Sequence, residues 1–358
     1  MRLRAVFVVA ALVAPFGVAS RAEATPPQFS STAVAISDTG WIVGEVHVAN
    51  SQRCVESDTN VCVHAAIFAT DAGRIGVRDL GTLGGPSSRF AGVNSRGQIV
   101  GSAETAQSDP DVGGNVFRAV LSNGGGPLVD LGTLGGNNSQ AEAIDEHGTV
   151  VGQAETAAGA FHAFVKYPGQ PMTDLGTLGG GFSAASAISR NGRYIAGFSG
   201  TSTGAFHGFL WDGRIHDLGP LPGGTYTVAN AVNSAGDVVG SSGDDEGNNF
   251  AVIWQRGTVR KLVDYHGGYD VAAGIADSGK VVGFANPPTG KTRGFMTDTY
   301  GGTAKLLGAL GTHAGALGVD NIGDAVGDSE VGHKLDPNGN QRFDAVLYQN
   351  GNVIDLAT

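Results

Sequence analysis

Asp145-Glu146-His147-Gly148-Thr149-Val150-Val151-Gly152 is a tight turn followed by a short apolar run, and it decides the fold because it recurs. The run returns as Ile42-Val43-Gly44, Ile99-Val100-Gly101, Ile195-Ala196-Gly197, Val238-Val239-Gly240, Val281-Val282-Gly283 and Ala325-Val326-Gly327, giving seven copies. A second glycine stands four residues before the last one, five in the fourth copy: Gly40, Gly97, Gly148, Gly192, Gly236, Gly279 and Gly323. Successive copies are 57, 51, 44, 44, 43 and 44 residues apart. A period of this length marks a repeat architecture in which each unit buries its apolar face against its neighbours.

Working outward from the run, each unit reads as four short strands, A to D. Strand A is small and apolar (Ala141-Glu142-Ala143-Ile144), strand B is the Val-Val-Gly run, and strand C resembles His162-Ala163-Phe164-Val165. Strand D ends in Asp174-Leu175-Gly176-Thr177-Leu178. Turns such as Asn94-Ser95-Arg96-Gly97 and Asn233-Ser234-Ala235-Gly236 join A to B: the first side chain bonds backbone amides and the glycine supplies a positive φ. Four-stranded units of about 44 residues predict an all-β, seven-bladed β-propeller. A β-solenoid coil is the alternative, but it usually takes far fewer residues per turn. The Ala and Gly content of strand A (Ala33, Ala35, Ala91, Gly92, Ala185, Ala187, Ala229, Ala231, Gly318) places it innermost, lining a central channel. Blades then run from strand A at Thr32–Ile36 to strand D at Val353–Leu356, so the ring should close without strand exchange. Seven units account for residues 25–358 as a single domain.

The wording Asp-Leu-Gly-Thr-Leu-Gly-Gly at Asp79–Gly85, Asp130–Gly136 and Asp174–Gly180, with His162-Ala163-Phe164 and Val150-Val151-Gly152, resembles the HAF repeat of exported bacterial proteins. The resemblance spans residues 25–358 and weakens where Lys261-Leu262-Val263-Asp264, Lys305-Leu306-Leu307-Gly308 and Asp355-Leu356-Ala357-Thr358 replace the Asp-Leu-Gly wording. It implies export and repetition, and it supplies no activity to carry onto particular residues.

Composition agrees with a turn-rich, folded chain. Of 358 residues 59 are glycine, 41% are hydrophobic and only 15% charged, and the glycines follow no Gly-X-Y period, which excludes collagen and a disordered chain. A net charge of −11 disfavours nucleic acid and anionic membrane as partners. Residues 1–24 carry Arg2 and Arg4, an apolar run from Ala5 and the small-residue pattern Ala22-Glu23-Ala24, the form of a secretory signal peptide. Pro15, Gly17 and Arg21 make the stretch too broken for a membrane span, so the mature chain is expected to be periplasmic or secreted, and monomeric. Cys54 and Cys62 are then expected to form a disulfide, with free thiols or a zinc site near His47 and His64 as alternatives.

No enzyme signature is complete: Gly200-Thr201-Ser202-Thr203-Gly204 has the Gly-x-Ser-x-Gly spacing but lies between strands B and C with no helix to form a nucleophile elbow, there is no His-Glu-x-x-His, and no Lys-Ser/Thr pair completes a phosphate loop at Gly135-Gly136. His64, His162 and His207 share one repeat slot, as do Asp79, Asp130, Asp174, Asp217 and Asp355, and both slots read as structural. Trp211 and Trp254 read as blade-packing residues rather than a sugar platform. The informative departures are insertions between strands B and C in units seven, one and two, which a closed ring makes consecutive. Those loops carry Glu56 and Asp58, then Asp109 and Asp111, then Asp336-Pro337-Asn338-Gly339-Asn340-Gln341-Arg342-Phe343-Asp344. Asp336, Asn338, Asn340 and Asp344 partly mimic a calcium loop, although Gln341 replaces the expected glycine and the distal glutamate is missing. Glu56, Asp58, Asp109 and Asp111 are the candidate binding surface, with no catalytic or cofactor residue assigned. The expected function is a binding module for a protein or a glycan. The alternatives are a secreted glycan hydrolase or lyase using the same carboxylates, and a spacer with no ligand.

Overall fold

The computed structural model describes residues 30–49, 61–69, 75–110, 114–265, 268–288, 290–299, 302–335 and 341–357, and every regular element among them is a β-strand. The expected leader, residues 1–24, lies outside them. Seven antiparallel sheets of four consecutive strands form a seven-bladed propeller, each sheet ordered A-B-C-D with no strand shared between blades. The inner strands are Ser31–Ile36, Gly84–Val93, Gly135–Ile144, Gly179–Ile188, Tyr226–Val232, Asp270–Ile275 and Ala314–Val319, one from each blade. Blade 7 meets blade 1 through side chains, with the Ala345 amide donating to Ser31 Oγ at 3.0 Å, so the ring closes without strand exchange as the repeat phase predicts.

The core is not one cluster but seven, each lying between neighbouring blades. Ala33, Ile42 and Phe68 of blade 1 pack on Val326, Ala345 and Leu347 of blade 7, and Val151 and Val165 of blade 3 pack on Ile195 and Phe209 of blade 4. This is why strands B and C read as continuous apolar runs: both faces of each blade are covered.

The glycine that ends every Val-Val-Gly run has a steric cause. Each inner strand carries a one-residue β-bulge opposite it: Gly152 pairs with Ala141 and Val151 with Ala143, leaving Glu142 unpaired. The bulge presses a carbonyl against strand B, so a Cβ at Gly152 would lie 2.0 Å from Gln140 O, and one at Gly327 2.2 Å from Gly315 O. No side chain fits there, and seven copies keep glycine.

The Asp-Leu-Gly-Thr-Leu-Gly-Gly wording is resolved atom by atom. Asp174 Oδ1 accepts the Gly176 amide at 2.7 Å, and Thr177 Oγ1 accepts the Gly179 amide and donates to Gly180 O. Ser183, the buried hydroxyl opening the paired part of the next strand A, donates to Gly176 O at 2.6 Å and accepts the Ala163 amide at 2.8 Å. One serine thereby joins strands C and D of blade 3 to blade 4. Ser88, Ser139 and Thr227 repeat the arrangement.

Candidate functional site: the ribboned face and the channel

In blades 3 to 6 the B–C hairpin stops pairing at Glu155–Phe161, Gly200–Phe206, Gly243–Asn249 and Ala285–Arg293. In blades 1, 2 and 7 it continues to Ala49–Val61, Ser108–Asn115 and Leu335–Gln341. At ~3.3 Å per residue these ribbons rise between about 7 and 17 Å beyond their regular counterparts. Among the described residues the insertions lengthen strands B and C, and they stand on consecutive blades of one face.

The structure sorts the predicted site residues. Cys54, Glu56, Asp58, Asp111, Asp336, Asn338 and Asn340 lie outside the described residues. Cys62 is buried in strand C of blade 1. Asp109 is buried instead of displayed: Asn138 Nδ2 donates to its Oδ2 at 2.5 Å. Asn138 also accepts the Phe117 amide and donates to Glu155, so it fastens the blade 2 ribbon to blade 3. Asp344 is fully buried, and its carboxylate is gripped by the Arg342 guanidinium. Both described carboxylates of the ribbons are thus occupied in holding them. Neither is placed as an acid or base, and among the described residues no group of three His, Cys, Asp or Glu side chains is arranged to hold a metal.

Beside the ribbons, blades 3 to 6, with Phe117 of blade 2, present aromatic rings at the same face. Phe117 stacks on Phe161 with centroids 6.3 Å apart; Phe182, Phe198 and Phe206 form a cluster on blade 4; Tyr269 stacks on Phe284 at 6.2 Å. Burial raises the Tyr226 and Tyr269 hydroxyls above the usual phenol range, helped by Asp244 for Tyr226 and by Tyr226 for Tyr269. Sequence reading missed this floor, although Phe117, Phe161 and Phe206 share one repeat slot, just before the histidine slot of strand C, and Phe198 and Phe284 share another, just after the glycine that ends strand B's apolar run. Blades 7, 1 and 2 instead bring charge: Arg89 lies 3.5 Å from Glu45, and burial, with the Glu45 charge nearby, pushes Asp328 up to about 6.

The predicted lining of the channel is observed. All seven inner strands surround a cavity of about 240 Å³. Its far mouth is rimmed by a belt that sequence reading also missed, built from the second residue of every A–B turn with help from the third residues Thr39 and Asn191. Thr39 bonds Ser95 O, Ser95 bonds Glu146, Arg190 bonds Glu146, and Asn191 bonds Ser234 O. Ser234 then bonds Asp277, the Asp277 amide bonds Asn321, and Asn321 bonds Asp38. Arg190 crosses the mouth to reach Asp38 as well. Burial alone would raise Asp38, but the Asn321 and Arg190 donors outweigh it and hold the carboxyl below its ordinary range. The polar residue at that turn position in each copy was the available signal.

The structural reading of the histidine slot is explained by its partners. His64, His162 and His207 bond Asp79, Asp174 and Asp217 at 2.7–2.9 Å, tying strand C to strand D within one blade. In blade 5, Phe250 and Lys261 occupy the same two slots, and the ammonium lies 3.4 Å from the ring centroid. Trp254 is buried and donates to Gly219 O, so it packs blades and offers no platform.

No family model matches the chain, and no curated protein matches it. Solved structures share its fold at low identity. The β-propeller domain of the Trilobed protease from Pyrococcus furiosus, described as having an open velcro topology, is 11% identical, with a TM-score of 0.58 over 91% of this chain and 98% of that one. The acylaminoacyl peptidase of Pyrococcus horikoshii is 12% identical, with a TM-score of 0.58 over 93% of this chain. A puromycin-hydrolyzing peptidase of Mycobacterium tuberculosis is 12% identical, with a TM-score of 0.52 over 92%. The chain spans about half the length of these two peptidases, 53% and 52%. These likenesses establish a propeller and nothing about activity.

Proposed function

We propose that the chain is an exported propeller of the HAF-repeat kind that serves as a binding module, taking a protein or glycan ligand on its ribboned face. The observation that carries this reading is the placement of three lengthened hairpins on consecutive blades of one face. Extending a strand beyond the blade adds ordering entropy with no interblade core in return, and functional loops of repeat folds gather on one face. The aromatic floor offers flat apolar contact area, and the ribbons supply polar walls above it. A Cys54–Cys62 disulfide belongs to the same proposal, because it would close the tip of the blade 1 ribbon in the oxidising compartment to which a leader delivers the chain.

The test replaces residues 49–61, 105–115 and 331–341, singly and together, with two-residue Asn-Gly turns of the kind that close short hairpins. Wild type and variants are screened on a glycan array and a peptide library, and hits are titrated calorimetrically. Truncation is expected to leave cooperative unfolding intact and to weaken the ligand at least about 10-fold, which corresponds to ~1.4 kcal/mol. A ligand held equally well by the triple truncation would overturn the reading.

A further inference from the structure

The bulge slot of the inner strands holds Val34, Ala91, Ala273 and Leu317 in blades 1, 2, 6 and 7, and the ring closes with those apolar residues in place. In blade 5 it holds Asn230, whose side-chain amide donates to Ala272 O, and in blades 3 and 4 it holds Glu142 and Ser186. Both line the 240 Å³ cavity. Glu142 Oε1 and Ser186 Oγ are shielded from solvent and have no hydrogen-bond partner among the described residues. A buried carboxylate oxygen with no donor is expensive, and the other blades show that the bulge does not need it.

We propose that Glu142 and Ser186 form a binding site inside the channel for a primary alkylammonium group. The carboxylate and the hydroxyl would each accept a hydrogen bond from the ammonium, and the neighbouring walls, among them Ala143, Ile144, Ala187 and Ile188, would enclose the alkyl chain. The other charged groups lining the cavity are already engaged: Glu146 and Arg190 with each other, and Asp277 with Ser234. Arg89 acts on Glu142 only through its field, and its guanidinium lies beside Glu45. A divalent metal is the wrong class, because calcium takes six to eight oxygen ligands and magnesium needs a near-octahedral set. At ~30 Å³ per water-sized group the cavity has room for a chain of about four to six carbons. Burial pushes Glu142 up to about 8, so near neutral pH an incoming ammonium ion would displace a proton.

The ligand could be a free amine or a lysine side chain of a protein. The experiment is calorimetric titration of residues 25–358 with n-butylammonium, with an Nα-acetyl-lysine N-methylamide probe, and with 1-butanol as the neutral isostere. Butylammonium is expected to bind with release of up to one proton at pH 7, to tighten as pH rises from 6 to 8, and to weaken about 10- to 100-fold in Glu142→Gln. Ser186→Ala should weaken it less, and 1-butanol should not bind. Binding of the lysine probe as well would assign the site to a protein lysine; butylammonium alone would assign it to a free amine. Absence of binding by either ammonium probe, or equal affinity in Glu142→Gln, would overturn the proposal. Should Glu142→Gln fail to fold, proton release by the wild type and the Ser186→Ala affinity decide it. This site lies within the channel, so its failure leaves the ribboned face untouched.

Discussion

Blades 3 to 6 and blades 7, 1 and 2 have the same inner half and different outer faces. Both groups keep the bulge, the glycine opposite it and the polar turn residue of the belt. They part beyond the third residue after that glycine, where the regular hairpins turn and the others run on as ribbons. The difference teaches that the hub is fixed by sterics that admit one solution, while the ribbon beyond it is held by individual side-chain bonds. Those bonds are Asn138 to Asp109 and Arg342 to Asp344.

The largest expected effect tests this within one strand. Gly327 and Gly332 both lie in strand B of blade 7, Ala325–Leu335, one in the blade and one in the ribbon. A Cβ at Gly327 would meet Gly315 O at 2.2 Å, whereas at Gly332 the nearest atom is Leu310 O at 3.7 Å. Gly327→Ala should cost about 3 kcal/mol or more in urea unfolding, and Gly152→Ala in a regular blade about the same. Gly332→Ala should be neutral or slightly stabilising. Equal losses at Gly327 and Gly332 would break the division between hub and ribbon.

A middle-sized effect comes from the serine staple. Ser183→Ala leaves the Ala163 amide and the Gly176 carbonyl without the partner they share, at a cost of about 1–3 kcal/mol. Hydrogen exchange should show the loss as faster opening at the boundary of blades 3 and 4. Retained protection of Ala163 there would mean that apolar packing alone holds the blades.

What was legible in the sequence follows from the same division. Seven glycine-terminated runs, the A–B turns and the small inner strand were readable because each answers to a local rule repeated seven times. The carboxylate before Leu-Gly was readable too, since its acceptor role lies two residues away at Gly81, Gly132 and Gly176. Asp109 and Asp344 were not: an acid in a long polar insertion reads as solvent-facing, but the partner of Asp109 comes from another blade, and Asp344 lies in strand C opposite Ser329 with Arg342 of the same strand folded back on it. Glu142 was read only as part of a small apolar strand. Its exceptional place emerges once the bulge register shows what the other six blades carry in that slot.

The smallest effect distinguishes blade 1 from blade 5 by charge chemistry. The Asp79 hydrogen bond raises His64 above its ordinary value, outweighing burial, which lowers it. A histidine raised in the folded state contributes its full stabilisation below the unfolded pKa of ~6.5 and loses the ionic part as pH climbs through the folded value. Asp79 is well exposed, so screening keeps the contribution to about 0.2–1 kcal/mol. His64→Gln should therefore cost that much at pH 6 and less at pH 8.5. Lys261 over Phe250 fills the same two slots with a cation–π pair that holds no imidazole, so Lys261→Met should cost the same at both pH values. If His64→Gln is as pH-independent as Lys261→Met, the neutral hydrogen bond carries the histidine slot by itself, and the two blades solve the same C–D junction without using the proton.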